Sequence, residues 1–354
     1  MTVSLGHADA VADEIAGRPV VLRYADVESE YAALRQAAAV VDRSHRTRMS
    51  FEGDRRLDTL TGLVTNDVGA LQPGAGQYAA ALTPRGKIIA DVRIFARETE
   101  LLVDVPPRAS DGWTAMIRKF VNPRATRYVD RTEALADVGV FGPRSRSIVA
   151  ALTGVTVDAL GSIAPYGSLT GRHADSGVFV VRAPDIGVEG YDLMVPPDVK
   201  PALWQRALEL GAVPLGVVAW DIARIEAGRP EWGVDIDDST IPQEANFDEL
   251  HAISYTKGCY TGQETVARVH FRGHVNRHLR GLTYSAATPL PRGAELVGET
   301  DKPVGDIRSS AISPRLGGVA LGMVRREITP GSDVRVRWEG GETKATVVAL
   351  PFPS

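Results

Sequence analysis

The chain has 354 residues, 44% of them hydrophobic and 24% charged, and a formal net charge of −4. This composition is typical of a globular protein with two or three domains, and it lacks the basic excess of non-specific nucleic-acid binders. A single cysteine excludes an intrachain disulfide framework and favours a reducing compartment. No apolar run has the length of a membrane span and no signal-peptide pattern is visible, so we expect a cytoplasmic protein without membrane or direct nucleic-acid partners.

The N-terminal half mixes helical and strand patterns. Residues 1–24 show no clear periodicity and are expected to form a loosely ordered arm. Apolar residues at helical spacing after Asp26, a plausible N-cap, predict a helix. "TRMSFEG" then predicts a strand, and "DRRLDTLTGLVTNDV" predicts a second helix. The segment 76–107 predicts three strands with short turns, followed by a helix over 111–121.

The remaining segments favour an α+β fold. "DVGVFGP", "SLTGRHA", "SGVFVVRAP" and "GYDLMVP" are strand-like, and helices are expected near 198–211 and 215–227. Strands and helices do not alternate strictly, which argues against a doubly wound parallel sheet. After residue 273, short β-type runs punctuated by glycine and proline predict a small all-β barrel. We therefore expect a domain over 25–273 and a barrel domain over 274–354.

The only cysteine, Cys259, lies in the run "TKGCYTGQETVARVH". Thr261 to Glu264 fit a capping box, which predicts that a helix, or a short turn before a strand, begins there. A helix dipole and the nearby Lys257 would both favour a thiolate, and the flanking glycines leave room for another molecule. The pattern therefore suits a reactive or metal-ligating thiol, although a small buried hydrophobic side chain remains open.

Two further signals are ambiguous. His270, His274 and His278 recur at helical spacing and could be zinc ligands, but Gly273 interrupts the run and a solvated linker is the favoured interpretation. Asp91 lies in the apolar strand pattern "GKIIADVRIF", where its carboxylate could point into a cleft or to solvent.

Several stretches together resemble the YgfZ family of folate-binding proteins linked to iron–sulfur cluster maintenance, which are relatives of the glycine cleavage system T protein, the folate-dependent aminomethyltransferase. "KGCYTGQE" resembles the family signature. "LTGLVTNDV", "AALTPRGKIIADVRIF" and "ARIEAGRPEWGVDID" resemble the folate-binding part shared with T proteins, and "SAISPRLGGVALGMVRRE" and "VVALPF" resemble their C-terminal barrel. The likeness covers roughly 25–353.

The resemblance implies a T-protein-like ring of two α/β subdomains plus a C-terminal small β-barrel, around an opening that holds folate. It implies tetrahydrofolate or a derivative as cofactor, together with a transient iron–sulfur cluster. Cys259 would supply one cluster ligand, so the cluster would be shared with a partner, a second copy or a small thiol. The implied partners are iron–sulfur cluster assembly proteins or client enzymes, and effects on tRNA modification would be indirect.

The resemblance also supplies candidate site residues. The candidate catalytic residues are Cys259, Lys257 and Asp91. The candidate folate contacts are Asp91, Glu189, Asp192, Trp220, Arg224, Tyr260, Gln263 and Glu264. Trp220 stands where T proteins usually carry an arginine, and it would offer an aromatic wall to a flat ring.

Three functions remain open. The favoured one is an accessory factor that supports assembly or repair of iron–sulfur clusters through Cys259. The second is a folate-dependent aminomethyltransferase or demethylase, in which Asp91 carries the chemistry. The third is a folate-binding scaffold without chemistry. The cysteine signature discriminates between the first two, because T proteins do not carry it.

Overall fold

A computed structural model describes residues 10–353, which form a hairpin, two sheets with flanking helices and a closed barrel. The first part of the chain contains β1 (Val11–Ile15), β2 (Arg18–Arg23), α1 (Val27–Gln36), β3 (Ala39–Asp42), β4 (Thr47–Glu52), α2 (Arg56–Thr61), β5 (Gly76–Leu82), β6 (Ile88–Ala96), β7 (Glu100–Val105), α3 (Ser110–Phe120) and β8 (Arg127–Asp130). The middle contains β9 (Ala136–Phe141), α4 (Ser145–Thr153), α5 (Val157–Ser162), β10 (Ser168–His173), β11 (Ser176–Arg182), β12 (Gly190–Val195), α6 (Lys200–Glu209), β13 (Val213–Pro214) and α7 (Val217–Glu226). The last part contains α8 (Gln263–Arg272), β14 (Arg277–Tyr284), β15 (Glu295–Val297), β16 (Pro303–Ser313), β17 (Gly317–Arg325), β18 (Asp333–Trp338) and β19 (Gly341–Val348).

The first sheet has the strand order β5-β6-β7-β4-β8 and is antiparallel throughout. Strand β6 lies inside this sheet, and its sequence IIADVRIFA is almost continuously buried. Asp91 and Arg93 are two residues apart on β6 and so face the same side of the sheet. The sheet therefore brings a carboxylate and a guanidinium together in a protected place.

The second sheet has the order β10-β11-β12-β9-β3-β13, and only its β13–β3 pair is parallel. One face packs against α4 and α6, where Trp204 is almost completely buried. Helix α7 packs with residues of β3 and β9 and with the barrel. Because α7 contacts both the second sheet and the barrel, its side chains can reach the space between them.

The barrel closes in the order β14-β17-β16-β15-β18-β19, which confirms the predicted all-β C-terminal part. Closure leaves no strand edge unpaired in this unit. The two sheets with their flanking helices and the closed barrel confirm the predicted α+β fold class with a C-terminal barrel.

The expectation of a loosely ordered N-terminal arm was wrong for residues 11–23, which form the β1–β2 hairpin. Its two-residue turn is Ala16–Gly17, and both residues have positive φ (51° and 71°). Such a turn matches the twist of a hairpin, but alanine at its first position hides the usual Asn-Gly signal. Residues 1–9 of the expected arm lie outside the described residues.

Helix α2 is shorter than predicted for residues 54–68, because it ends at Thr61. The half-buried ammonium group of Lys257 donates to the backbone carbonyls of Thr61, Val64 and Asn66. These carbonyls then point away from a continuing helix. The bend that follows α2 is thus fixed by a residue almost two hundred positions later.

Other differences concern short elements. The sequence patterns did not predict β8, β13, α4 or α5, because strands of four residues or fewer and short helices give little periodicity. The first predicted helix, over "DVESEYAALRQAAAVVDRS", was too long, because α1 ends at Gln36 and Ala39–Asp42 form β3. The capping box at Thr261 was also wrong: Gly262 is the N-cap of α8, with a φ of 82° and no side-chain cap. A Cβ on Gly262 would lie 2.6 Å from the carbonyl oxygen of Thr83, so the close approach requires glycine.

The C-terminal segment after β19 returns to helix α7. The backbone N–H of Phe352 donates to the carbonyl of Glu226 at 2.9 Å, and the Phe352 side chain is buried. The buried carboxylate of Glu226 accepts bonds from the hydroxyls of Tyr31 and Ser313. These contacts join α1, α7, the barrel and the C-terminal segment at one point.

Candidate functional site

A small polar recess opens beside β6, with a volume of about 60 Å³. We call it the recess; it is lined by Arg43, Arg46, Tyr78, Asp91, Arg93, Pro106, Asp185, Trp220, Arg224, Arg229, Pro230 and Glu231. These residues come from the first sheet, from loops that follow strands of both sheets, from α7 and from the loop after α7. The recess is therefore a product of long-range packing.

Asp91 is the distinctive carboxyl group of the recess. It is 6% exposed, and its Oδ2 accepts a hydrogen bond of 2.9 Å from the hydroxyl of Tyr78. Its Oδ1 is buried and has no hydrogen-bond partner. Burial raises the pKa of Asp91 above its ordinary value. A buried acceptor without a partner is costly, so this oxygen is suited to a ligand donor group.

Tyr78 is held from two sides. The guanidinium of Arg229 lies over its ring, 4.5 Å from the centroid, and the ring of Tyr166 stacks on it at 6.1 Å. Arg229 also donates to the Tyr166 hydroxyl. Burial raises the pKa of Tyr166 to about 12, so its phenol is neutral at physiological pH. The tyrosine that orients Asp91 is thus itself rigidly placed.

A buried ionic network forms the floor of the recess. Arg93 donates to Asp192 at 2.6 Å and to Asp185 at 2.9 Å, and it lies 2.9 Å from Asp104. Arg43 contacts the same Asp185 and Asp192, at 2.9 and 3.2 Å. Burial opposes the charge of Asp185, but the guanidinium groups of Arg93, Arg43 and Arg229 together outweigh it and hold the pKa of that carboxyl well below its usual range. Asp185 is therefore charged, and both Asp185 and Asp192 are already paired.

A larger cavity of about 490 Å³ adjoins the recess and shares Arg43, Arg46, Trp220 and Glu231 with it. We call it the chamber; its remaining lining residues are Asp13, Glu14, Ile15, Val20, Leu22, Val27, Val41, His45, Pro107, Arg108, Val217, Val218, Asp221, Ile222, Val234, Pro289, Ser310, Ala311 and Ile312. The volume falls within the roughly 300–1,000 Å³ of typical ligand pockets. The lining is mainly apolar, with the charged groups at its ends.

Trp220 separates the two cavities. Its ring packs edge-to-face against Phe141 at 4.9 Å, and the guanidinium of Arg43 lies 4.4 Å from its centroid. His45 lines the chamber nearby, and burial together with the cation of Arg46 lowers its pKa to about 3. This imidazole is consequently neutral at physiological pH. The junction offers an aromatic surface and a neutral polar group to a flat ligand.

The predicted folate contacts divide into two groups. Asp91, Trp220 and Arg224 line the recess, and Arg224 is fixed by Asp235 at 2.6 Å. Asp192 lies behind the recess wall, where Arg43 and Arg93 occupy both its oxygens. The structure therefore brings part of the predicted set together.

The other predicted contacts lie away from both cavities. Glu189 accepts bonds from Arg146 and from the Tyr191 hydroxyl. Gln263 and Glu264 begin helix α8, where Glu264 is exposed. None of these three carboxylate and amide groups is among the residues that line the recess or the chamber.

Cys259 lies in an exposed loop before α8. The loop is pinned through Lys257, whose Nζ donates to the carbonyls of Thr61 and Val64 at 2.5 Å and of Asn66 at 2.9 Å. The same amine lies 4.5 Å from the ring centroid of Tyr260. Burial lowers the pKa of Lys257 to about 8. The amine thus holds the loop to the bend after α2, and it is engaged by carbonyl oxygens.

Sequence reasoning missed the cations that shape the recess, Arg43, Arg93 and Arg229. A charged pair two residues apart inside an apolar strand, as at Asp91 and Arg93, is the signal that could have indicated a polar recess. Arg43 follows the short strand β3 and gave no such signal. Partners from distant segments decide the role of these residues.

The described part of the chain, residues 10–353, contains no group of three or more His, Cys, Asp or Glu side chains that could hold a metal ion. His270 stacks on Tyr255, with ring centroids 3.6 Å apart, while His278 belongs to β14. The three histidines that suggested zinc ligands are therefore spread over a helix, a loop and a strand. Within the same residues, no helix is both long and apolar enough to cross a membrane.

Comparisons with known proteins match almost the whole chain. Two family models match: "GCVT N-terminal domain" over residues 4–254 and "Glycine cleavage T-protein C-terminal barrel domain" over residues 277–353. An aminomethyltransferase of Alcanivorax borkumensis is 30% identical over 351 residues, covering 96% of this chain and 92% of the relative. An aminomethyltransferase of Nostoc sp. is 28% identical over 346 residues, covering 95% and 90%.

The solved structure of the glycine cleavage system aminomethyltransferase T from Bartonella henselae has the same fold. It superposes with a TM-score of 0.87 at 22% identity, covering 98% of this chain and 95% of that chain. These findings support the T-protein part of the resemblance, and they do not separate YgfZ proteins from the wider family.

Proposed function

The chain belongs to the family of the GCVT N-terminal domain and carries the T-protein C-terminal barrel, and from this premise we propose that it binds tetrahydrofolate or a derivative for chemistry of the aminomethyltransferase type. The observation that carries the proposal is the buried, unpartnered Oδ1 of Asp91 in the recess, which adjoins a chamber of ligand size. The relatives' names support the same reaction class.

The residues of the cleft fit the chemistry of a folate. The recess alone is small, so the ligand would lie mainly in the chamber, with one edge reaching Asp91. Trp220 would lie against a flat ring. Bound tetrahydrofolate would supply the nitrogen atoms that carry one-carbon units. The floor carboxylates Asp185 and Asp192 are ion-paired with arginines, whereas no ion pair among the described residues involves Asp91, which makes Asp91 the candidate acceptor for a ligand N–H.

The role of Asp91 follows from its surroundings. A carboxyl group whose pKa is raised exchanges a proton closer to neutral pH than an exposed one. The Tyr78 hydroxyl fixes one oxygen and leaves the other toward the ligand. Asp91 would thus hold a proton donor of the ligand and accept or return its proton during transfer of the one-carbon unit.

Calorimetric titration with tetrahydrofolate tests this proposal. Wild-type protein is expected to bind and to melt at a higher temperature with ligand, since a ligand of the folded state stabilises by mass action. Asp91→Asn should bind at least about tenfold more weakly, because a charge-assisted hydrogen bond is lost. Asp54→Asn, an exposed carboxyl outside the cleft, is the matched control. Absence of binding and of a melting shift in the wild type would remove the proposal.

Transfer chemistry needs its own test. Wild-type protein is incubated with tetrahydrofolate and an aminomethyl donor, and ¹³C NMR follows the labelled carbon. Appearance of the label on the folate, lost in Asp91→Asn, is the expected result. Folate binding with no transfer to any aminomethyl donor would reduce the proposal to a folate-binding scaffold.

A second candidate function is support of iron–sulfur cluster assembly or repair through Cys259, as in the YgfZ family. The favouring observation is an exposed thiol in the KGCYTGQE motif, on a loop that Lys257 ties to the bend after α2. With one thiol per chain, a cluster would need ligands from iron–sulfur assembly proteins, client enzymes or a second copy. This role would make the protein an accessory factor with indirect effects on tRNA modification.

Cells that lack the protein can separate the two candidates. Activity of cluster-dependent enzymes is measured after rescue with wild type, Cys259→Ala or Asp91→Asn. Rescue by Asp91→Asn but not by Cys259→Ala would support the thiol function. Full rescue by Cys259→Ala would exclude it and leave the folate cleft as the functional centre.

A further inference from the structure

The N-terminal hairpin of residues 11–23 borders the chamber mainly with one face, and Glu14 on β1 adds one further lining residue. Val20 and Leu22, alternate residues of β2, both line it. Asp13 pairs with Val20 across the hairpin, and Ile15, two residues on, also lines the chamber. Val21, on the other face, belongs to the core cluster that contains Trp204. The hairpin is thus a two-sided wall, with the protein core behind it and the cavity in front.

Two contacts fix the position of this wall. The fully buried carboxylate of Glu30 accepts bonds from the backbone N–H groups of Tyr24 and Ala25, directly after β2, and of Gly216, which caps α7. A Cβ on Gly216 would lie 2.2 Å from the carbonyl oxygen of Leu22. The φ of Gly216 is −86°, so close approach of the hairpin, and not backbone strain, requires glycine there. The hairpin is therefore locked to the helix that carries Trp220.

The chemistry of the wall limits what it can touch. Its chamber face consists of the aliphatic side chains of Ile15, Val20 and Leu22, with the carboxylate of Asp13 at the exposed end. The charged residues that the hairpin adds to the lining, Asp13 and Glu14, are both acidic. A ligand carboxylate gains nothing from this wall, whereas an uncharged ring can bury apolar surface against it.

We propose that the hairpin is a specificity-determining wall of the ligand chamber, and that Ile15, Val20 and Leu22 contact the uncharged rings of a bound folate. This inference rests on the proposed folate binding and goes beyond it by assigning a ligand role to the N-terminal segment. It predicts that the hairpin contributes to affinity through the rings of the ligand and not through its glutamate.

The first test compares Leu22→Ala with Val11→Ala. Val11 belongs to the same hairpin but is not among the chamber residues. Two ligands are titrated: tetrahydrofolate, and tetrahydropteroate, which lacks the glutamate. Leu22→Ala should weaken binding of both by about three- to tenfold, since it removes part of the apolar surface that the rings would bury. Val11→Ala should leave both affinities unchanged.

The second test displaces the whole wall through Gly216→Ala. Gly305→Ala is the matched control, because its Cβ would also lie 2.2 Å from a carbonyl oxygen, that of Met323 in the barrel. Thermal melting of both variants verifies folding. At equal melting temperature, Gly216→Ala should lose at least about tenfold in affinity for both ligands, and Gly305→Ala should not.

The outcomes separate this inference from the function on which it rests. Wild-type protein that binds neither ligand overturns folate binding itself. Wild-type binding with affinities unchanged in Leu22→Ala overturns the hairpin inference alone. A loss confined to tetrahydrofolate would show contact with the glutamate and would also overturn it. If Gly216→Ala does not fold, the Leu22→Ala result decides.

Discussion

The recess around Asp91 and the loop of Cys259 use opposite means of holding a reactive group. In the recess, Asp91 is buried and its neighbours Arg93, Asp185 and Arg43 belong to three separate segments joined by ion pairs. The loop leaves Cys259 exposed and is tied down by one amine that contacts neutral carbonyls. The recess is therefore defined by ion pairs, and the loop by hydrogen bonds to neutral carbonyls from the Lys257 amine and from the backbone N–H groups of Ser254 and Thr261.

The difference indicates which parts of the molecule tolerate change. Removal of one partner of a buried ion pair is costly, because the other charge stays buried without a partner. Removal of an exposed thiol leaves no buried charge without a partner. Substitutions in the two regions should accordingly differ in their effect on folding even when both abolish function.

Arg93→Met should have the largest effect on stability. The change leaves Asp192, Asp185 and Asp104 without their shared guanidinium, and the free energy of unfolding should fall by about 3–5 kcal/mol. Urea denaturation measures it. Arg55→Met, which removes an exposed pair with Asp58, should change stability by less than about 0.5 kcal/mol. Equal values for both variants would contradict the role of the ionic floor.

Lys257→Met should come next, with a loss of about 1–3 kcal/mol, because three carbonyls lose their donor. The alkylation rate of Cys259 at neutral pH should stay within about twofold, since the amine is engaged by carbonyls. Iodoacetamide labelling followed by mass spectrometry tests this. A tenfold slower reaction would instead make Lys257 an activator of the thiol. Lys87→Met, another lysine that donates to a backbone carbonyl, is the control.

Asp91→Asn should leave the fold intact and change the pH dependence of stability. The pKa of Asp91 is raised, so its contribution to stability is present at low pH and is lost as pH rises through the folded pKa. At pH 7 the variant should equal the wild type or exceed it by up to about 1 kcal/mol, and the gain should vanish below about pH 4. Denaturation at both pH values measures the difference, and a variant less stable at pH 7 would contradict it.

Cys259→Ala should have the smallest effect on the molecule itself. The exposed side chain contributes little packing, so we expect a stability change within about 0.5 kcal/mol and unchanged affinity for tetrahydrofolate. Differential scanning calorimetry and titration measure both. A large loss of either would show that the loop and the cleft are coupled, and the comparison between the regions would no longer hold.

Much of the fold followed from the sequence, because long patterns dominate it. The three strands β5, β6 and β7 and the barrel strands have clear alternation and turn signals. The hairpin was missed because Ala16 hides the usual turn signal. The predicted α2 was too long because Lys257, far along the chain, binds the carbonyl groups at the point where α2 ends. Local patterns cannot register partners that the chain brings together only on folding.

The candidate site was predictable to a smaller extent. Asp91, Trp220 and Arg224 were singled out on family resemblance and line the recess. Arg43 and Arg229 were not, since an arginine beside a short strand or after a helix is usually solvated. Glu189 was also chosen on family resemblance, but its ion pair with Arg146 holds it away from the cavities. Ion pairs between distant segments of the chain decide which charged side chains face the recess.

The contact of Phe352 with Glu226 has a consequence for synthesis on the ribosome. Residues 350–353 emerge after all the rest of residues 10–349, and the barrel wall of the chamber, including Ala311, also arrives late. The two sheets can therefore form while translation continues, but α7 stays uncovered on its barrel side until these residues are released. The wall of the chamber is thus completed only after the barrel has been synthesised, and the barrel side of α7 is covered only after residues 350–353 have followed.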